Sequence, residues 1–136
     1  MIVADANLLL YLRVTAEPFT ARADAVLLRD PEWAVPLFWR SEIRQGLAGL
    51  MVHRGLSLDA ALAALAGMDL VIGPREYAVE SPEVLRLAHA SRCNACDCEY
   101  VALAEALDIP LVTEDRALLK AFPGRAVSPA AFVTRK

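Results

Sequence analysis

Apolar residues fall in short blocks along this chain, and the blocks alternate in period. The first, Ile2-Val3-Ala4, is a continuous apolar run halted by Asp5, the pattern of a short strand buried on both faces. Leu8, Leu9, Leu10 and Leu12 continue as one or two helical turns. A second helix begins at Glu17-Pro18, with Phe19, Ala23, Val26 and Leu27 at helical spacing, and stops at Asp30-Pro31. Trp33-Ala34-Val35 predicts a second strand, closed by Pro36. Helices over 37–53 and 57–68 follow, the first stopped by Gly55 and the second capped by Ser57. Leu70-Val71-Ile72, ahead of Gly73-Pro74, predicts a third strand. Ser81 as cap and Pro82 at the first helical position start a helix to residue 90. A helix over 97–107, a strand over 111–113, a helix over 115–122 and a short strand over 126–127 complete the pattern, and 128–136 is a tail.

Strands separated by helices pair in parallel through right-handed crossovers. The expected fold is therefore α/β, a three-layer α/β/α sandwich on a short, mainly parallel sheet, with residues 1–136 as one domain. With 57% hydrophobic and 23% charged residues, a disordered chain is excluded. No apolar run approaches the roughly 20 residues of a membrane span. Met1-Ile2-Val3-Ala4-Asp5 lacks the basic opening of a secretion signal, so a cytoplasmic protein is expected. Cys93, Cys96 and Cys98 are an odd, clustered set, which suits free thiols in a reducing compartment better than a disulfide framework. Cys93-x-x-Cys96 has zinc-like spacing, but His53 and His89 lie far away and no second pair completes a site. Twelve of the fourteen basic residues are arginine and the net charge is −3, so charge alone argues for no nucleic-acid partner.

The chemistry lies in four acids. Asp5 ends the first strand and Asp115 follows the fourth, which puts both at the carboxyl edge of a parallel sheet, where such folds bind ligands. Asp97 opens a helix that continues with Val101, Ala102 and Leu103, and Glu42 sits among Phe38, Trp39, Ile43 and Leu47. Taken singly, Asp97 and Asp115 suit helix N-caps, and Glu42 suits a solvated face. Gly46 and Gly49 share the face of Glu42 and leave room there for another element or a ligand. Taken together, oxygen donors without cysteine or histidine suit a hard divalent cation, and uncompensated they would repel and take up protons.

These residues resemble the PIN-domain ribonucleases, in particular the VapC toxins of bacterial toxin–antitoxin pairs. Asp5-Ala6-Asn7 is similar to the family's D-x-[SN] strand end, and Ser41-Glu42-Ile43 to the start of its third helix. Asp97-Cys98-Glu99-Tyr100-Val101-Ala102-Leu103-Ala104 is similar to its D-x-x-Y-x-A-L-A helix, and Thr113-Glu114-Asp115-Arg116-Ala117-Leu118 to its T-x-D-x-x-L element. The resemblance covers nearly the whole chain. It implies an Mg2+- or Mn2+-dependent endoribonuclease, usually a homodimer, with an RNA substrate and an antitoxin partner. It carries the catalytic and metal-binding roles to Asp5, Glu42, Asp97 and Asp115, and supporting roles to Asn7 and Thr113. Arg44 and Arg116 are candidates for holding substrate phosphates. Cys96 stands where relatives often place an aromatic. Glu99 and Glu114 are the candidates for a fifth acid. Leu8, Leu12, Phe38 and Trp39 are candidates for an antitoxin groove or a dimer face, and equally for the core. The implied chemistry is attack of a metal-activated water on phosphorus, leaving a 5′-phosphate and a 3′-hydroxyl.

Two rivals belong to other classes. Dehalogenase-type phosphatases need a second Asp where Asn7 stands, and receiver domains need an acidic pair and a lysine that this chain lacks at the required places. A module that keeps the fold but only binds RNA or protein is the alternative, and Asp5→Asn discriminates, since a pure binder would be indifferent to it.

Overall fold

A computed structural model describes residues 1–135. In chain order the elements are β1 (Ile2–Ala4), α1 (Ala6–Arg13), α2 (Phe19–Arg29), β2 (Trp33–Pro36), α3 (Trp39–Arg54), α4 (Leu58–Ile72), β3 (Glu76–Tyr77), α5 (Ser81–Ser91), α6 (Ala95–Leu107), β4 (Leu111–Val112), α7 (Arg116–Ala121), β5 (Ala126–Val127) and α8 (Pro129–Thr134). Five strands form one parallel sheet in the order β3-β2-β1-β4-β5. β1 is central: Ile2 and Val3 pair with Trp33 and Ala34, while Val3 and Ala4 pair with Leu111 and Val112. Every residue of β1 and β2 is buried, so both faces of the sheet are covered, as a parallel sheet requires. α6 lies on β1 and β2 and pairs with α5, whereas α1 packs against α2, α3 and α4. The result is the expected three-layer α/β/α arrangement.

The topology makes the site. From β1 the chain adds β2 and then β3 on one side, and only later lays down β4 and β5 on the other. Between β1 and β4 the connections leave in opposite directions, which opens a crevice beyond the carboxyl ends of these strands. Asp5 and Thr113 are the residues that follow β1 and β4.

Several boundaries differ from the pattern. The run Leu70-Val71-Ile72 is the last turn of α4, not a strand. Val71 and Ile72 extend the buried stripe of Ala61, Ala64 and Met68, while Leu70 is 84% exposed. No breaker stands between Met68 and Gly73, so a helix with such an apolar stripe continues through. The third strand is Glu76–Tyr77, whose sequence carries no apolar run and which is fixed by pairing with Val35 and Pro36. The expected tail contains α8, capped by Ser128, which accepts the Ala131 N–H at 3.1 Å; Lys136 lies outside the described residues. Ser81 is the first residue of α5 rather than its cap, a position that falls to Glu80.

Leu8, Leu12 and Trp39 are core residues, and Phe38 is half-buried with its ring edge-on to Tyr100, 5.7 Å between centroids. They form no exposed docking face. Gly46 receives α1: a Cβ there would lie 2.7 Å from Leu10 Cδ1. Room on the Glu42 face is thus taken by another element at Gly46, while Gly49 is open. The three cysteines are free, with Cys98 buried in a small α5–α6 core beside Val84 and Ala102, Cys93 half-buried and Cys96 exposed. No helix of the described residues is long and apolar enough to cross a membrane.

Gly73 ends α4 at φ 56° and ψ −129°, a conformation that costs little only without a Cβ. Gly73→Ala is expected to destabilise the fold by about 1–3 kcal/mol through backbone strain alone, because open space surrounds the position. Urea unfolding measures it.

Candidate active site

Asp5 is placed by both strands of the crevice. It follows β1, and its N–H donates to Val112 O of β4 at 3.2 Å. Although only 5% exposed, it is an acid. As N-cap of α1 its Oδ1 accepts the Ala6 N–H at 2.8 Å, and its Oδ2 accepts the Thr113 hydroxyl at 2.6 Å. Thr113 is fully buried, and its Oγ1 accepts the Asp115 N–H at 2.9 Å. One relay therefore runs from the Asp115 backbone through Thr113 to the Asp5 carboxylate. Asp115 in turn caps α7, its Oδ1 accepting the N–H groups of Ala117 and Leu118 at 2.8 and 3.2 Å. Thr113→Val keeps the shape and removes the relay, leaving the Asp115 N–H and one Asp5 oxygen unpaired. A loss of about 1–3 kcal/mol is expected, read as a lower urea midpoint.

Asp97 is not the cap of its helix. Asn94 is, accepting the Asp97 N–H at 2.8 Å, and α6 begins at Ala95, two residues earlier than the pattern indicates. Asp97 occupies the first turn, where its charge suits the helix dipole. Glu42 lies in the first turn of α3 and is half-buried. Tyr100, one turn beyond Asp97, is fully buried. Among the described residues, the Tyr100 hydroxyl and Glu42 Oε1 are buried without a hydrogen-bond partner.

The acids feel one another. Burial pushes Asp5 up to about 6 against the pull of its Thr113 and Ala6 hydrogen bonds, and the charges of Asp97 and Asp115 push in the same direction as burial. Glu42 is raised by burial, relieved by the nearby Tyr100 hydroxyl, and raised again by Asp5, Asp97 and Glu99. Asp97 is raised by burial and then by Asp115. The Tyr100 phenol is driven well above its ordinary range by burial and then by Glu42, so the hydroxyl keeps its proton. Cys96 is raised by burial and then by Glu42, Glu99 and Asp97, which places its exposed thiol at the rim of the cluster.

All four predicted acids thus share one Coulombic neighbourhood at the switch between β1 and β4. Hard oxygen donors, mutually raised carboxylates and an orphaned buried oxygen on Glu42 suit a hard divalent cation in chemistry and charge. Among the described residues, however, no three His, Cys, Asp or Glu side chains converge closely enough to enclose one ion as they stand.

The remaining candidates are more dispersed. Asn7 is exposed in the first turn of α1, and the side-chain bonds to Asp5 come from Thr113 and Ala6 instead. Arg44 is exposed on α3, and Arg116 is exposed as the first residue of α7. Of the possible fifth acids, Glu114 is engaged by Arg22 at 3.2 Å, and Glu99 is raised by burial. Two participants escape sequence reasoning. Tyr100 stands in the D-x-x-Y-x-A-L-A stretch without an assigned role, and only the structure brings it beside Glu42. Arg22 meets Glu114 across 92 residues, which no local pattern reveals.

A sequence profile described as PIN domain matches residues 2–122, nearly the whole chain. The chain belongs to the PIN-domain family. Solved structures share the fold of this PIN domain at low sequence identity. It is similar to a chain of a toxin–antitoxin complex from Klebsiella pneumoniae (TM-score 0.68, 16% identity, covering 95% of this chain and 98% of that one). It is similar to a Pyrobaculum aerophilum protein (TM-score 0.72, 23% identity, 98% and 94% covered) and to FitAcB from Neisseria gonorrhoeae (TM-score 0.71, 16% identity, 96% and 99% covered). No curated protein matches this PIN domain by sequence.

Proposed function

We propose that this PIN domain is a metal-dependent endoribonuclease and the toxin of a toxin–antitoxin pair. The observation that carries the nuclease reading is Asp5: a carboxylate 5% exposed, locked by Thr113 at the sheet's switch point and electrostatically coupled to Asp97 and Asp115. Such a group is costly to bury for structure alone. Asp5, Glu42, Asp97 and Asp115 would hold Mg2+ or Mn2+. When bound, the ion supplies an ionised water at neutral pH and offsets charge on the leaving 3′-oxygen. Thr113 fixes Asp5, so that acid needs little reorganisation. Asp115 is held at the backbone by the same threonine. The Tyr100 hydroxyl keeps its proton beside the Glu42 carboxylate. Arg116 and Arg44, both exposed, are the candidates to hold flanking phosphates.

The toxin role rests on the fold and on its likeness to a chain of the Klebsiella pneumoniae toxin–antitoxin complex. It brings with it a cognate antitoxin and a homodimer as expected partners, in the cytoplasm. A binding module without catalysis is the second reading, favoured by the spacing of the acids, which as they stand enclose no ion.

Incubation of the purified protein with a structured RNA pool in Mg2+, Mn2+ or EDTA separates the two. The nuclease reading predicts cleavage only with metal, leaving 5′-phosphate ends. Unchanged RNA in every condition supports the binding module, and products ending in a cyclic phosphate contradict attack by water.

A further inference from the structure

We propose that the hollow beside Asp115 seats one unstacked base of single-stranded RNA against the guanidinium of Arg22. This deepens the ribonuclease reading and rests on it. The hollow has a volume of ≈ 400 Å³ and takes Asp115 as one wall, so it adjoins the acid cluster directly. Asn7, Phe19, Arg22, Glu114 and Arg116 are among its other lining residues.

Its platform is already assembled. The rings of Tyr11 and Phe19 stack at 4.6 Å between centroids and 18° between planes. The Arg22 guanidinium lies over the Phe19 ring, 5.5 Å from its centroid. Glu114 Oε2 accepts from Arg22 Nη1 at 3.2 Å and clamps the group sideways. Held beneath by a ring and at one side by a carboxylate, the guanidinium still has a 42% exposed side chain at the hollow. Glu114 offsets its charge, so Arg22 offers a flat surface more than a free cation. Unstacked bases are bound by aromatic rings and by arginine planes of this kind. Asn7, exposed at the same hollow, carries both a donor and an acceptor for a base edge. Arg116, exposed beside Asp115, is placed for the adjoining phosphate. A base in this hollow would set its own phosphate beside the acids, which makes the hollow a positioning subsite for the scissile bond.

The test compares a labelled uridine decamer with an abasic ribose-phosphate strand of equal length, bound to Asp5→Asn and to Asp5→Asn/Arg22→Lys. Lysine keeps the charge and reach toward Glu114 but not the plane, and a melting curve checks that the variant folds. The expected result is a preference of Asp5→Asn for the base-bearing strand of about 5- to 150-fold, largely lost with Arg22→Lys, with abasic-strand binding unchanged. A preference that survives Arg22→Lys, or no preference in Asp5→Asn, overturns the proposal. If the native protein still cleaves RNA only with metal, the ribonuclease reading stands without this subsite. If the native protein neither cleaves RNA nor binds either strand, both fall.

Discussion

Asp5→Asn is expected to lower metal-dependent RNA cleavage by at least about 100-fold, because loss of a group that only orients a metal ligand already costs about 10–100-fold. The same substitution is expected to leave the metal-free protein as stable as the native chain at neutral pH, or more so. Asn keeps an oxygen for the Ala6 N–H and loses the acceptor of the Thr113 hydroxyl, a loss offset by removal of the charge that burial disfavours. Most substitutions at a position this buried destabilise. Lost cleavage with undiminished stability therefore marks Asp5 as a functional acid rather than a structural one. Cleavage assays beside urea unfolding in EDTA measure the two quantities on one protein. A large loss of stability with residual cleavage per folded molecule would reverse the assignment.

A second large effect is expected in the pH dependence of stability. Asp5 in the folded protein titrates near 6, above its ordinary value of 3.8. Between those values the folded state holds a proton that the unfolded state has released. Metal-free stability should therefore fall as pH rises from about 4 to about 6 and then level, by about 3 kcal/mol from this group. Glu42 and Asp97, also raised, act in the same direction. Asp5→Asn should flatten the profile. Mn2+ at about 100 times its dissociation constant should return about 2.7 kcal/mol at neutral pH, since it binds the folded state alone. Urea midpoints from pH 4 to 8, with Mn2+ and with EDTA, follow both changes. Stability that instead rises through this window would mean that Asp5 is compensated within the protein and is not held as a strained charge.

Much of this site is legible in the sequence because topology does the gathering. An apolar run that ends in Asp5, and another that ends in Thr113-Glu114-Asp115, must place those residues at one sheet edge once the strands are parallel. The local run Leu70-Val71-Ile72 is misleading for the opposite reason. Three apolar residues fit a buried strand or a helix face equally, and only the packing of α4 decides. Glu76–Tyr77 becomes a strand through its neighbour Pro36, not through its own side chains. The cap of α6 is Asn94, one of several polar residues before Asp97 that could have served. The Tyr100–Glu42 approach and the Arg22–Glu114 pair join elements distant in sequence, so no spacing rule contains them.

Asp5, Glu42, Asp97 and Asp115 are proposed to form one divalent-cation site. Calorimetric titration of Mn2+ into the native protein and Asp5→Asn at neutral pH tests it most directly. Saturable binding by the native chain is expected, with heats that change with buffer because raised carboxylates release protons, and little or no binding by Asp5→Asn. Equal heats from both proteins, or none from the native chain, would contradict it.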